Sequence, residues 1–438
     1  MPEAYADHLW RGEDSYPTLY LDDVSDIPFL VNIAGVEEYQ HRARVRAGDG
    51  DLFAAVTPPV EGYETYCREV LNLGSPKLVL AENRRTPLAV AEACCHGAAL
   101  RTIVGHARAA GGLHPHPYMG IESVWELARH VSRDARVPVT VIGPPPPVTW
   151  IANDKQSFSE LVEQTLGGDW LVRTEFARTP RDLARYLVDI AKNCERVGLK
   201  RTRCASAMGN AVFDASEVLS GDPDALVRAF LERTEWDGDE DVLAVAWEES
   251  ELSPSTQCWL PPRGQGVPVV EGVYEQILEG PEKVFVGSRP STHAINERLI
   301  EASVRVATEL QELGYVGRCS FDFIVSEDGE PRFTECNGRW GGTSIPMSLV
   351  DRLIGGERPP YRAQDYVHTT LEGASLQDIL RRVGDDLYDP ETRRGRFVFY
   401  NVGPLARSGK LDVIALGATV AAAEEALVSG LARRLTAC

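Results

Sequence analysis

Residues 317–340, GRCSFDFIVSEDGEPRFTECNGRW, restrict the fold of this chain more tightly than any other stretch. Two runs of strand-forming residues, SFDFIV and PRFTE, flank an EDGE turn whose Asp-Gly step is a hairpin signal. Side chains alternate faces along a strand. Asp322 therefore points away from Phe321 and Phe323, and Glu335 and Asn337 share a face if the second strand continues. Pairing of the two strands brings Asp322 and Glu335 side by side. Two inward carboxylates are costly unless a cation meets them. Mg²⁺, with Mn²⁺ as its substitute, suits the place: it takes few carboxylates and completes its octahedron with water and phosphate oxygens. Asn337 adds a neutral oxygen, so Asp322, Glu335 and Asn337 form the candidate metal set. Arg339 returns to the same face and offers its planar fork to a phosphate. Gly341 and Gly342 follow, with backbone N–H groups placed for an oxyanion. The plain alternative is a surface hairpin with scattered charges. The complete D…E-x-N-x-R set followed by Gly-Gly argues against it.

The rest of the chain divides at two proline-rich breaks, GPPPP at 143–147 and GGERPPY at 355–361. A length of 438 residues is consistent with about three domains of ~150. The expected units are 1–150, 151–350 and 351–438. In the first, strands are expected at 29–35, 51–59, 77–82 and 137–143. Helices are expected at 37–48, at 86–112 (capped by Thr86 and ended at Gly111) and at 123–135. Such alternation predicts an α/β layer with a mostly parallel sheet. In the second unit, a helix enters through Asn153 or Asp154. A short strand and a helix capped by Thr179 follow, then strands around 197–202, 241–247 and 257–262 and a long helix at 293–315. The third unit reads strand, strand, helix.

Bulk properties exclude several classes. A formal net charge of −20 repels phosphate backbones, so nucleic acid is not an expected partner. No apolar run approaches the ~20 residues of a membrane span, and the N-terminus lacks the features of a signal peptide. Nine cysteines with no CxxC pair predict reduced thiols, which fits a cytoplasmic protein. The absence of GxGxxG argues against a dinucleotide-dependent dehydrogenase. GPLARSGKL at 403–411 mimics a phosphate loop, but its spacing is one residue too long, and Leu411 stands where Ser or Thr must hold the metal. A hairpin turn is expected there. His114 and His116 lie among prolines and have no third ligand, so a loop beside a cleft is expected rather than a metal site. A homodimer is the default assembly.

The pattern G-Y-x-G…F-D-F…D-G…F-x-E-x-N-x-R-x-G-G at 314–342 resembles the metal-binding end of ATP-grasp ligases. Upstream, Lys155 in NDK resembles their first nucleotide-binding lysine. Lys200 in GLKRTRCASAMGNAVF resembles the second, and the mobile loop over the phosphates follows it with Ser206, Gly209 and Asn210. LAVAWEES at 243–250 falls where the adenine hinge should be. The backbone at Ala246 and Trp247 would read the base, and Glu248 or Glu249 the ribose. The flanking segments FLVNIAGVEEY, PYMG and FVFYNVGPLARSGKLDVIALG are similar to the ATP-grasp peptide ligases of the pheganomycin type.

The resemblance implies an ATP-grasp fold, with an N-terminal Rossmann-like pre-ATP-grasp domain and a small C-terminal α/β domain. It implies ATP and Mg²⁺ as cofactors and ADP-forming activation of a carboxylic acid as an acylphosphate. Lys155 and Lys200 would offset phosphate charge, Arg339 would hold the transferring group, and Gly341 and Gly342 would serve the oxyanion. The acid would be a nonproteinogenic guanidino or amino acid and the acceptor the N-terminal amine of a peptide. Glu275 and Glu249 are the candidate bases for that amine. The rivals are condensation of two free amino acids, loading of a carrier protein, and a non-catalytic nucleotide-binding protein.

Overall fold

The computed structural model describes residues 3–12, 15–28, 30, 33, 35–204, 207, 209–250 and 252–436. Strands β1 (Thr18–Leu21), β2 (Leu52–Ala55), β3 (Lys77–Leu80) and β4 (His114–Pro117) form an all-parallel sheet in the order β3-β2-β1-β4. The strand expected at 29–35 lies largely outside the described residues. The segment expected as a loop around His114 and His116 is instead β4. Its alternating prolines lack an N–H, and an edge strand tolerates that loss on its open side.

Three further expectations for this layer need correction. Residues 137–143 make only isolated bridges, Val139 to Leu113 and Val141 to Leu9, because Pro115 and Pro117 of β4 have no N–H to donate to the segment running alongside them. The long helix at 86–112 is split into Val90–Cys94 and Gly97–Ala110, with Ala89 rather than Thr86 at its start. His96 is extended and Gly97 adopts φ +59°, a conformation glycine tolerates and a continuing helix does not. The segment at 37–48 winds as a 3₁₀ helix, Val36–Val45.

A second sheet is antiparallel, in the order β5-β8-β6-β7. It comprises β5 (Thr174–Ala177), β6 (Arg196–Arg201), β7 (Asn210–Asp214) and β8 (Val242–Ala246). The helices Pro180–Ala191, capped by Thr179, and Pro223–Arg233 bury Leu187, Ile190 and Phe230 with Val197 and Leu199 of β6.

The third and largest sheet holds β9 (Pro254–Leu260), β10 (Val269–Glu279), β11 (Val284–Pro290), β12 (Gly317–Val325), β13 (Pro331–Asn337), β14 (Tyr361–Val367), β15 (Phe397–Asn401) and β16 (Lys410–Leu416). Its eight strands run in the order β13-β12-β9-β10-β11-β14-β16-β15. The helices Lys155–Leu166 and Asn296–Glu312 cover one face of its β13-β12-β9 end, where Phe158, Leu299 and Val306 meet Phe321, Phe323 and Phe333. The 143–147 proline cluster does break the chain, yet Pro146 also opens the helix Pro146–Asn153, since a first-turn residue needs no N–H. The segment 403–411 is the turn of the β15–β16 hairpin and contains a one-turn helix, Leu405–Ser408. No helix among the described residues is long and apolar enough to cross a membrane. Eight cysteines among them are free thiols, six of them buried.

Candidate active site

The β12–β13 hairpin pairs Asp322 directly with Glu335 and Ser320 with Asn337. One residue of β13, Thr334, is bulged out of the ladder, so that Phe323 pairs with Phe333. Strict alternation would have put Phe333 on the face of Glu335. The bulge turns Phe333 into the core, where its ring lies 4.2 Å from that of Phe323, and leaves Glu335 on the open face.

That face is the floor of a cavity of ≈ 1060 Å³. Asp322 is held from both sides. Ser255 Oγ of β9 donates to its Oδ1 at 2.7 Å and Asn337 Nδ2 to its Oδ2 at 2.9 Å. Gln257 Nε2 in turn donates to Ser255 Oγ at 2.9 Å. Burial, and then the charge of Glu335, push the Asp322 carboxyl up to about 7. Glu335 is also desolvated, but Lys155 and Lys200 outweigh that and hold it below the usual carboxylate range. Lys155 Nζ lies 3.0 Å from Glu335 Oε2. Lys155 is the first residue of its helix, fixed because Asp154 caps the N–H groups of Gln156 and Ser157. Lys200 comes from β6 and rests over the Trp247 ring, 4.8 Å from its centroid. Arg339 Nη2 donates to Asn337 Oδ1 at 2.7 Å and Nη1 to Tyr118 Oη at 3.3 Å.

The donor set fits a hard divalent ion. Among the described residues no group of three or more His, Cys, Asp or Glu side chains is placed to hold a metal, so a thiolate or imidazole site is not on offer. What the floor provides is two adjacent carboxylates and an amide, the short oxygen set that Mg²⁺ takes when phosphates and water supply the rest. Asn337 shows Asp322 its NH₂, so its oxygen joins the set only once the amide turns over.

The cavity gathers Lys155, Lys200, Asn210, Ala246, Trp247, Glu248, Asp322, Glu335, Asn337, Arg339, Gly341 and Gly342. Ser206 lies outside the described residues. Gly209 is off the wall; its carbonyl accepts Arg201 N–H, and a side chain there would meet Cys204 Sγ at 2.6 Å. Glu249 is turned to solvent and paired with Arg196 and Lys283, which leaves Glu248 as the acid facing inward.

The backbone bonds correct two further expectations. Ala246 N–H donates to Arg173 O and Trp247 N–H to Arg196 O, so neither donor is free for a base. Gly341 N–H donates to Ser344 Oγ at 2.8 Å, so it is not free for an oxyanion. Glu275, a candidate base, is off the cavity and faces His293 and Arg289 at 3.0 and 3.6 Å. His116 accepts from Trp340 Nε1 and is packed among aromatic rings, and burial holds its pKa well below the usual value.

Sequence reasoning missed the opposite wall. Tyr39 and Arg42 of the 3₁₀ helix, Tyr118 beyond β4, and Asp365, Lys410 and Asp412 of β14 and β16 all line the same cavity. No local pattern marks them, because strand order alone brings them there.

No family model matches the chain, and no curated protein matches it. Solved structures do. N5-carboxyaminoimidazole synthetase from Staphylococcus aureus, complexed with ADP, superposes with a TM-score of 0.57 over 97% of this chain and 99% of that one, at 10% identity. The biotin carboxylase domain dimer of Hydrogenobacter thermophilus 2-oxoglutarate carboxylase, with MgADP and bicarbonate, gives 0.58 over 95% and 89%, at 12% identity. N5-carboxyaminoimidazole ribonucleotide synthetase from Thermus thermophilus gives 0.54 over 96% and 99%, at 16% identity. The chain has the ATP-grasp fold. At these identities the likeness is one of architecture.

Proposed function

We propose that this protein is an ATP-dependent, ADP-forming carboxylate–amine ligase. The observation that carries the reading is the Asp322–Glu335 cross-strand pair with Asn337, facing Lys155, Lys200 and Arg339 across one cavity. The similar structures from S. aureus and H. thermophilus are described with ADP and MgADP. The volume of the cavity lies at the upper end of the ~300–1,000 Å³ common for ligand pockets, which suits a nucleotide plus a second substrate.

Bound Mg²⁺ would supply charge neutralisation on the phosphates of ATP. Asp322, Glu335 and Asn337 would hold it. Lys155 and Lys200 offset further phosphate charge, and the Trp247 ring lies against the Lys200 ammonium. Arg339, oriented by Tyr118 Oη and the Trp340 carbonyl, holds the γ-phosphoryl group while a substrate carboxylate attacks it. The acylphosphate and ADP result; an amine then attacks the acyl carbon and phosphate leaves. The chain's work is positioning and electrostatics rather than covalent chemistry.

Within this class we infer that the acid is a nonproteinogenic guanidino or amino acid and that the acceptor is the N-terminal amine of a peptide, in natural-product biosynthesis. The similarity of the flanking segments to the pheganomycin-type ligases supports this choice. The test is incubation with ATP, Mg²⁺, candidate acids and a peptide mixture, with nucleotides and products read by mass spectrometry. ADP with a condensed peptide is expected. AMP release would refute the ligase class, and ADP formed only with pairs of free amino acids would refute the peptide acceptor.

A further inference from the structure

The acids of the floor belong to a larger polar grid. Two rows cross the strands β9, β12 and β13. Ser255, Asp322 and Glu335 stand opposite one another in the first, and Gln257, Ser320 and Asn337 in the second. All six residues line the cavity. Thr256, between Ser255 and Gln257, points to the other face, where its hydroxyl meets that of Ser303 at 2.8 Å. Ser255 and Gln257 are buried, at 2% and 1% exposure. Buried polar side chains are costly unless their hydrogen bonds are made. Here the bonds run in one line. Gln257 Nε2 donates to Ser255 Oγ at 2.9 Å, and Ser255 Oγ donates to Asp322 Oδ1 at 2.7 Å. The direction of that line is fixed. An amide nitrogen only donates, so the Ser255 oxygen accepts from Gln257 and its single proton is left for Asp322.

Asp322 thus receives one donor on each oxygen, Ser255 on Oδ1 and Asn337 on Oδ2. A carboxylate oxygen offers two acceptor sites, so each oxygen keeps one in reserve. The two donors differ in permanence. Asn337 lends its own oxygen only after its amide turns over, and its Nδ2 then leaves Asp322. Ser255 stays, because β9 is paired on both sides, with β12 and with β10. Resting on the ligase reading above, we propose that Ser255 and Gln257 are positioning residues for the divalent ion, holding Asp322 in place while Asn337 exchanges its donor for its acceptor. Gln257 acts through Ser255, and Ser255 through Asp322. Outer partners of this kind commonly carry about 10–100-fold in metal affinity.

The test is titration of the full chain with Mn²⁺ in the presence of a non-hydrolysable ATP analogue, with free Mn²⁺ read by electron paramagnetic resonance. Ser255→Ala should weaken Mn²⁺ binding about 10–100-fold. Ser255→Thr keeps the hydroxyl and should bring the affinity back close to wild type. Gln257→Met keeps the length of the side chain without its donor and should weaken Mn²⁺ binding in the same direction, by less. It also carries the test should Ser255→Ala fail to fold. Affinity for the analogue in EDTA should be the same in all four proteins, since the effect runs through Asp322 and not through the nucleotide. Equal Mn²⁺ affinity of wild type and Ser255→Ala, or no recovery with threonine, would overturn the assignment of Ser255. Gln257→Met indistinguishable from wild type would remove Gln257 from it. A matching loss of metal-free nucleotide affinity would show a general defect and overturn the positioning role. These failures leave the ligase reading intact. Absence of Mn²⁺ binding by wild type would instead overturn that reading's metal set, and this assignment with it.

Discussion

Lys200 is half-buried over the Trp247 ring, and desolvation holds its pKa below the usual lysine value. Its ammonium keeps its charge cheaply only where phosphates or Glu335 face it. Lys200→Ala should therefore raise KM for ATP by about tenfold or more, with circular dichroism unchanged; an unaltered KM would assign the phosphates to another cation. Asp412 gives a pH-dependent prediction. Burial raises its folded pKa from 3.8 to about 7 amid Asp365, Lys410, Arg42 and Asn401. The folded state thus holds this proton more tightly than the unfolded chain. Its stabilising effect is complete below the ordinary carboxylate pKa and is lost as pH rises to about 7. Asp412→Asn removes the titration. The stability of the variant relative to wild type, read from urea unfolding, should therefore climb between about pH 4 and 7 and level off above. A difference that stays constant across that range would contradict the assignment.

Among the elements, the β12–β13 hairpin depends on its bulge. Thr334 steps out of register and lets Phe333 enter the cluster of Phe158, Phe321 and Phe323 while Glu335 stays on the cavity side. Phe333→Ala should cost about 3–5 kcal/mol in urea unfolding. It should also weaken Mg²⁺-dependent nucleotide binding, since the position of Glu335 rests on that ring. Destabilisation with full nucleotide affinity would show the acids to be set by other means. Much of this element was legible in advance. The Asp-Gly turn, the flanking phenylalanines and the spacing of Asp322, Glu335 and Asn337 are local, and local pattern is what a sequence displays. The bulge was not legible, because two-residue alternation hides a one-residue slip. β4 was hidden by Pro115 and Pro117, which read as loop until its place at the sheet edge is known. The commitments of the Ala246, Trp247 and Gly341 amides are settled by partners that local pattern does not reveal. So is the wall of Tyr39, Arg42, Lys410 and Asp412, drawn from segments more than 300 positions apart.

At the scale of the whole molecule, three sheets converge on one cavity. The carboxyl end of the parallel sheet contributes Tyr118, and the small antiparallel sheet contributes Lys200 and the Trp247 ledge. The eight-stranded sheet provides the floor with an acid pair toward each end. The small sheet meets the large sheet and its covering helix through Thr202 O, which accepts from Lys155 N–H, through Arg203 paired with Asp154, and through Glu248 paired with Arg332 of β13. A nucleotide between them would meet cations from one side and the metal set from the other. The direct test is calorimetric titration of ATP into wild type and the Asp322→Asn/Glu335→Gln double variant, each with and without Mg²⁺. Wild type should bind ATP far more tightly with Mg²⁺ than without it, and the double variant should lose that enhancement while keeping its fold by circular dichroism. Equal, Mg²⁺-enhanced binding in both proteins would contradict the account.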